Sequence, residues 1–594
     1  MTAHIKILKQ YQGFILGLKY PSVLLSVSTL NIAEFICTQL DPGIDQLLSI
    51  STANELRSCN FQEVHSINRA LIWLQKLLEW SRIPIFDRGK VLGGKVNPQK
   101  IDCNIIFPVY DSQAHGLINL LIWFLNKINS LKLNNSLKVV EEILNELKND
   151  VYPKLLLEQG INSIHFAHAA YQTNIPFCSY PLAHKIGPFW QFGLGNQQVI
   201  FQSSLCDSES YLSVISACDK SLCSAILRQA GFPAPTHCLV YSLQQAEQAF
   251  QIIGTPCVVK PSDSERGLGV SKDINTLDTL REAYNLANQY SRQILVEKQV
   301  EGTCHRLLVI NHKLVLAFKR SLQYLKGNGH QTISELIEQE NRHPFRCQIR
   351  PILDTFKIDD FLINILQAQG LSLDSVLAPE QTITIHPPGG SSIPELVLEQ
   401  VHPDNIKLAE DVTKLINLKI AGIDFITTDI SQPWHENDSI INEVNSCPQI
   451  TMHFGREIYS TILRQFVKGD GRIPTYAFIG HKLAKQSAIQ WVDQLQKSQP
   501  HCAFISADNV SIPQRFFRNL PKKMIDRVAL VLADKSVGSL VVHLTPEELI
   551  NAGLPLDRLT EMRLFASEFK ASSNLSISSA QSTFATACES LIIL

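Results

Sequence analysis

The sequence predicts an α/β (α+β) chain of more than one domain, and three observations carry that prediction. Short apolar runs of strand character alternate with helical stretches along almost the whole chain. A glycine loop, Asp263-Ser264-Glu265-Arg266-Gly267-Leu268-Gly269-Val270, lies between two such runs. At 594 residues and 45% hydrophobic content, the chain has material for about four domains of roughly 150 residues.

The elements follow in order. Residues 1 to about 155 read as mixed α/β. Residues 70–80 have helical spacing, with Leu71, Leu74, Leu77 and Leu78 on one face. Residues 105–110 read as a strand, and 117–128 and 137–147 as helices. Residues 89–95 match the spacing of a phosphate loop. Val96 stands where Ser or Thr is required, however, and Asn97-Pro98 cannot lead straight into a helix, so the match is read as chance. Residues 156–215 read as an entry segment rich in turns. A helix is predicted over 216–231, ended by Gly231 and Pro233. Strands at 257–260 and 270–272 flank the glycine loop. A helix over 277–290 precedes strands at 293–297 and 306–310. An insertion over 327–395 holds a helix at 334–341. A helix at 403–418 leads to strands at 420–427 and 439–444. Beyond about 485, a helix is predicted at 488–496 and buried strands at 528–532 and 540–544. The Ser/Ala-rich stretch 571–585 reads as a loose tail.

Charge and cysteine usage narrow the function classes. Charged residues make up 18% and the net charge is −2, so no global field recruits nucleic acid or a membrane surface. The apolar N-terminal stretch is broken by Lys6, Lys9, Lys19 and Pro21, unlike a signal peptide. The run 117–125 is too short to span a bilayer. Fourteen cysteines occur singly, with no C-x-x-C pair. That argues against a zinc site or a disulfide framework and fits a reducing cytoplasm.

The chemistry concentrates between Asp219 and Met452. Lys260 ends the apolar strand Val258-Val259-Lys260-Pro261, where a charge needs a partner, and a phosphate is a natural one. Glycines at 267 and 269 let backbone N–H groups approach phosphate oxygens, with Arg266 adding charge. An ordinary hairpin loop is the other reading of that segment, and a solvated helix lysine the other reading of Lys220. Asp424 sits inside an apolar strand. Glu443 and Asn445, two apart on another strand, face one side. Together they make a hard-oxygen set for Mg²⁺, or a hydrogen-bond network at a turn. Arg306 either steadies a carboxylate or acylphosphate or forms a surface ion pair. His453 either orients substrate or caps a turn.

This order of motifs resembles the ATP-grasp ligases and is similar to D-alanine–D-alanine ligase across about residues 216–455. The motifs are Asp219-Lys220, Val258-Val259-Lys260-Pro261, the glycine loop, Val296-Glu297-Lys298, Gly422-Ile423-Asp424 and Glu443-Val444-Asn445. The resemblance implies that Lys220 and Lys260 hold phosphates and that Glu297, Lys298 and Val300 line the adenine pocket. It also implies that Asp424, Glu443 and Asn445 bind Mg²⁺. Further phrases resemble the cyanophycin synthetase family over most of the chain. They are Trp190-Gln191-Phe192-Gly193-Leu194-Gly195, Val309-Ile310-Asn311, Gly327-Asn328-Gly329-His330-Gln331-Thr332-Ile333, Asp429-Ile430-Ser431-Gln432-Pro433, and Glu443-Val444-Asn445 with His453.

That family implies an N-terminal domain over 1–160, an ATP-grasp ligase domain over 161–485, and a Mur-ligase-like domain over 486–594. Here the last is expected to be truncated and inactive. No G-x-x-x-x-G-K-[ST] follows residue 455, and His543 replaces the family's metal-binding Glu. The chain therefore resembles the short second type, which joins preformed β-aspartyl-arginine dipeptides into the cyanophycin chain using ATP and Mg²⁺. The family's ribose-holding Glu appears here as Cys304, with Glu301 on the same turn. Pro188 and the loop 385–392, with Ser391 and Ser392, depart where substrates are implied to bind. A ligase adding free aspartate or another amino acid, and a non-catalytic polymer-binding or regulatory subunit, are the alternatives. The expected partners are the dipeptide, the polymer and a second copy of the chain in a dimer, with no nucleic acid and no membrane. The expected location is cytoplasmic, at cyanophycin granules. Asp424→Ala or Glu443→Ala is expected to abolish ligation with the fold intact.

Overall fold

The computed structural model describes residues 2–109, 114–133, 137–156, 160–180, 189–263, 268–320, 323–343, 346, 349, 353, 355–386, 395–450, 457–569 and 587–594. The chain forms two compact units. One combines Met1–Ile200 and Arg456–Leu594 with the short stretch Gln348–Arg350, and the other is built from Phe201–Cys347 and Pro351–Gly455. No described helix is long and apolar enough to cross a membrane.

The N-terminal part of the first unit is an antiparallel sheet under helices. Its strands are β1 (His4–Tyr11), β2 (Ser22–Leu30), β3 (Lys90–Val96) and β4 (Lys100–Pro108), in the order β1-β2-β4-β3. Helix α1 (His65–Trp80) buries Ile67, Leu71, Leu74 and Leu78, at the helical spacing expected from sequence. It packs with α2 (Ala114–Leu133) over Val23, Leu25, Val27 and Ile105. The stretch 90–95 lies in β3, paired with β4, and so is not a phosphate loop. The segment expected to be turn-rich holds the 12-residue α3 (Ile161–Gln172) and the pair β5 (Phe177–Tyr180) and β6 (Phe189–Phe192).

Residues 201–455 build two sheets and a small insertion. The predicted helix at 216–231 is two helices, α4 (Tyr211–Cys218) and α5 (Lys220–Gln229). Asp219 breaks them apart by capping the second, its Oδ1 accepting the Leu222 N–H at 3.0 Å. The first sheet holds β7 (His237–Val240), β8 (Cys257–Pro261), β9 (Ser271–Ile274) and β10 (Ile294–Lys298), in the order β9-β8-β10-β7. Cys257, Val259, Ile294 and Val296 alternate onto one face. There they share a core with α6 (Leu243–Ile253) and α7 (Leu277–Ala287). That alternation leaves Val258, Lys260, Leu295 and Glu297 on the opposite face.

The second sheet has the order β15-β12-β11-β16-β17. Its strands are β11 (Thr303–Ile310), β12 (Lys313–Lys319), β15 (Glu395–Leu396), β16 (Ile420–Thr427) and β17 (Ile440–Asn445). Leu307, Val309, Ala421, Ile423, Phe425 and Val444 pack with Leu408, Ala409 and Val412 of α10 (Pro403–Ile416). Between β12 and β15 lies a separate small core. It contains the antiparallel pair β13 (Gln323–Lys326) and β14 (Thr382–His386), with α8 (Ile333–Asn341) and α9 (Asp360–Ala368) between them in the chain.

The C-terminal part of the first unit begins with α11 (Glu457–Phe466) and continues as a largely parallel sheet. Its strands are β18 (Thr475–Ile479), β19 (Cys502–Ile505), β20 (Val510–Ser511), β21 (Ser539–Leu544), β22 (Leu559–Leu564) and β23 (Cys588–Ile593). The order is β20-β19-β21-β18-β22-β23, and only β20 is antiparallel. The connecting helices are α12 (Lys482–Ser498), α13 (Met524–Leu532) and α14 (Pro546–Ala552). The strand expected at 528–532 is therefore a helix, α13. Val528, Val531 and Leu532 are buried at i, i+3 and i+4, a spacing hidden inside the run Val-Ala-Leu-Val-Leu.

Candidate active site

The candidate site is assembled on one row of the second sheet. Backbone register places Arg306 of β11 opposite Asp424 of β16, and Asp424 opposite Glu443 of β17. The three side chains therefore share one face, away from α10. Arg306 Nε donates to Asp424 Oδ1 at 2.6 Å and its Nη2 to Oδ2 at 3.1 Å. Arg320 Nη1 adds a third bond to Oδ2 at 3.3 Å. The pair is buried, with side chains 9% and 4% exposed. Burial works against the Arg306 charge, and the adjacent Asp424 carboxylate overcomes it, raising the guanidinium pKa. Gly422, one strand position pair before Asp424, has a steric reason. A Cβ there would stand 3.0 Å from Arg306 Nη1 and 2.8 Å from Pro448 Cβ.

A β-bulge shapes the next strand. Asp424 faces Glu443 but Phe425 faces Ile441, so Asn442 is the extra residue of β17. Its Oδ1 lies 3.4 Å from Lys260 Nζ. Lys260 also meets Glu297 at 2.7 Å, in a pair whose side chains are each 8% exposed. Lys260 and Glu297 are diagonal neighbours on β8 and β10, since Glu297 pairs with Val258. Lys220 stands at the first position of α5, where the helix dipole disfavours a cation. Glu443 Oε1 offsets this from 3.6 Å. Lys220, Asn442 and Glu443 line a narrow cleft between α5 and β17.

Two lysines, two arginines, three carboxylates and an amide thus make three side-chain groups: Lys260 with Glu297 and Asn442, Asp424 with Arg306 and Arg320, and Glu443 with Lys220. The register of β16 and β17 sets Asp424 and Glu443 side by side. Asn445 lies one residue pair further along, opposite Gly422. Its Nδ2 donates to the Gly422 carbonyl at 3.1 Å, which leaves its amide oxygen as an acceptor. Among the described residues no group of three His, Cys, Asp or Glu side chains makes a metal cluster. The donors here are two carboxylates on neighbouring strands and an amide oxygen, the hard-oxygen chemistry that suits Mg²⁺.

Other predicted residues stand apart. Lys298 is exposed and donates to the Thr255 carbonyl at 3.1 Å. Val300 and Glu301 follow on the connection to β11, with Glu301 exposed. Gly269 has φ +72°, and a Cβ there would press to 2.8 Å from Tyr290 and 2.9 Å from Pro261, so only glycine fits. Cys304 sits two residues before Arg306. Burial, then the Asp424 charge, pushes its thiol up to about 12. Arg266, Gly267, Ser391, Ser392, His453 and Pro188 lie outside the described residues.

Sequence reasoning missed Arg320 and Asn442. Arg320 follows β12 with no motif around it. Asn442 precedes Glu443 and points into the site only because of the bulge, which no residue type announces.

Comparison with known proteins gives a matching family model, "D-ala D-ala ligase C-terminus", over residues 226–318. A cyanophycin synthetase of Geminocystis herdmanii is 37% identical over 270 residues, covering 44% of this chain and 31% of that protein. One of Crocosphaera subtropica is 30% identical over 384 residues, covering 62% and 44%. A glutathione biosynthesis bifunctional protein of Mannheimia succiniciproducens is 27% identical over 275 residues, covering 44% and 36%. The chain thus spans less than half the length of these curated relatives.

Proposed function

The chain fits the cyanophycin synthetase family over the stretch it shares with those relatives, and from that premise we propose that it is an ATP-dependent carboxylate–amine ligase of the ATP-grasp kind. Its proposed reaction extends a cyanophycin chain with β-aspartyl-arginine dipeptides. The observation that carries the ligase reading is the cluster of paired charges on the two sheets of 201–455. There Lys220 and Lys260 stand beside the row Arg306–Asp424–Glu443.

In this reading the two lysines receive the phosphates of ATP, exchanging the carboxylates of Glu443 and Glu297 for phosphate oxygens. Asp424, Glu443 and Asn445 hold Mg²⁺, which supplies positive charge beside the phosphates. Arg266, Gly267 and Gly269 cover the phosphates, and Glu297, Lys298, Val300 and Glu301 border the base and ribose. The chain-end carboxylate attacks the γ-phosphorus and ADP leaves. The α-amine of the incoming unit then attacks the acylphosphate carbonyl, releasing phosphate and a proton. Arg306, held flat against Asp424, presents its remaining N–H to the reacting carboxylate, and the lysines offset the growing negative charge. Ser391, Ser392 and His453 complete the substrate side. The domain division 1–160, 161–485 and 486–594, a dimer, and a cytoplasmic place at cyanophycin granules belong to the same proposal.

The dipeptide is favoured because the described residues hold one constellation of this type, whereas alternating two different bonds requires two. ATP turnover with a cyanophycin primer tests it, with β-aspartyl-arginine, aspartate or arginine supplied separately. Consumption with the dipeptide alone supports the proposal. Consumption with aspartate alone replaces it by the free-amino-acid ligase. No turnover with any of them favours a non-catalytic subunit.

A further inference from the structure

The parallel C-terminal sheet has a topological switch point. The connection from β18 runs through α12 to one side, reaching β19, while the connection from β21 runs through α14 to the other, reaching β22. The crevice between the carboxyl ends of β18 and β21 is where open α/β sheets take ligands. Here β18 ends, Gly480 and His481 make the turn, and the 17-residue α12 begins. A strand, a glycine turn and a helix N-terminus is the arrangement that receives phosphate in nucleotide-binding sheets.

That position is already filled by a carboxylate of the same chain. Glu568, on the segment after β22, accepts the N–H of His481 at 2.7 Å and of Ala484 at 3.1 Å through Oε2. Its Oε1 accepts the Leu483 N–H at 2.8 Å. The carboxylate rests on the glycine, for a Cβ on Gly480 would lie 2.5 Å from Oε2. Burial alone would raise the Glu568 carboxyl, but the three backbone N–H groups and His481 hold it below its ordinary value.

The neighbouring groups fit a closed position. His543, at the end of β21 and 5% exposed, turns Nε2 to the Gly480 and His481 carbonyls at 3.1 Å each, bracing the turn from beneath. Its Nδ1 has no hydrogen-bond partner among the described residues. A cavity of about 290 Å³ opens beside Leu544, lined by Glu547 and Glu548 against Lys523. Two carboxylates against one ammonium disfavour a second anion there.

We propose that Glu568 is an internal substitute for a bound phosphate, closing the switch-point crevice of the C-terminal sheet to nucleotides. The same carboxylate ties the last connection of the sheet to the start of α12. This sheet therefore acts as a nucleotide-free scaffold, and it does so whatever reaction the other unit performs.

The test uses the full chain with Glu568→Ala and Glu568→Gln. Melting is followed in inorganic phosphate, in sulfate, and in chloride at matched ionic strength. Glu568→Ala is expected to melt below the wild type in chloride and to regain part of that loss in phosphate or sulfate, while the wild type shows no phosphate-specific shift. A folded Glu568→Ala that ignores phosphate would overturn the proposal. So would a wild type that gains as much as the variant. Should Glu568→Ala not fold, Glu568→Gln is read by the same criteria, since it keeps an acceptor oxygen and loses only the charge. Titration of the wild type with ADP gives an independent reading. A second bound equivalent that disappears in Gly480→Val, a variant blocking the turn, would also overturn the closure.

Discussion

Asp424→Ala and Glu443→Ala separate function from stability, although the sequence treats the two carboxylates alike. Asp424 is 4% exposed and receives three hydrogen bonds from Arg306 and Arg320. Its removal strands a guanidinium whose side chain is only 9% exposed. Breaking a buried pair on one side costs about 3–5 kcal/mol. In a unit of about 250 residues, each kcal/mol moves Tm by roughly 2–4 °C, so Asp424→Ala should melt on the order of 10 °C below the wild type. Glu443 is different. Its side chain is 30% exposed and its pair with Lys220 spans 3.6 Å, so Glu443→Ala should cost about 0–1 kcal/mol. Both variants should lose ATP turnover if the carboxylates hold Mg²⁺ as proposed. The sequence-based expectation that Asp424→Ala leaves the fold intact is thus revised. Differential scanning calorimetry beside a turnover assay provides the check. Equal melting temperatures for the two variants would refute the assignment of Asp424 to a buried pair. Arg306→Met combined with Asp424→Leu should melt well above Asp424→Ala, because neither charge is then left alone.

Three further outcomes are expected. Lys260→Met should abolish turnover and lower Tm by leaving Glu297 buried and unpaired, and adding Glu297→Leu should restore Tm but not turnover. His543 is held neutral by burial, its pKa lowered from the ordinary 6.5. The stability it contributes is therefore present above pH 6.5 and lost as pH falls below it, and His543→Gln should flatten the fall in Tm between pH 7.5 and 5.5. Cys304, its thiol pushed up to about 12, should resist iodoacetamide at pH 8 while exposed Cys447 is alkylated, as peptide mapping would record.

Much of this fold was legible because its elements carry their own signals. The strand at 257–261 is apolar and bounded by turns, α10 starts at Pro403 and ends at Asn417 in the left-handed conformation, and α8 opens with the Thr332–Glu335 capping box. What failed were elements decided elsewhere. The Val528–Leu532 run is apolar in either period, and the parallel sheet it covers makes it a helix. The segment 156–215 looked turn-rich, yet α3 is held by burial of Ile164, Phe166, Ala167 and Ala170. The site divides in the same way. Lys260, Asp424 and Glu443 are conspicuous as charges within apolar surroundings, whereas Lys220 stands out only through the order of motifs around it. Arg320 and Asn442 reach the site through register and a bulge, which are properties of strand pairing and not of any local residue pattern.

The pairing of Lys260 with Glu297 bears on how the proposed phosphate site is held together without its ligand. A buried ammonium is costly without a counter-charge. Glu297 supplies the missing counter-charge at 2.7 Å, and Asn442 offers an oxygen at 3.4 Å. Lys220, less buried, leans on Glu443 more loosely. Each cation thus keeps a carboxylate that a phosphate group, in the proposed function, displaces. Net binding is then the difference between two ion pairs and not the whole of one. A phosphate carrying more charge than a carboxylate wins that exchange, whereas a neutral ligand does not. The strength of the Lys260–Glu297 pair therefore sets a threshold. Glu297→Gln should tighten phosphate at Lys260 by removing the competitor, and it should lower the unliganded stability for the same reason. A Glu297→Gln variant that binds ADP more weakly with its Tm unchanged would show that the place of Glu297 beside the base, and not its competition for Lys260, governs binding.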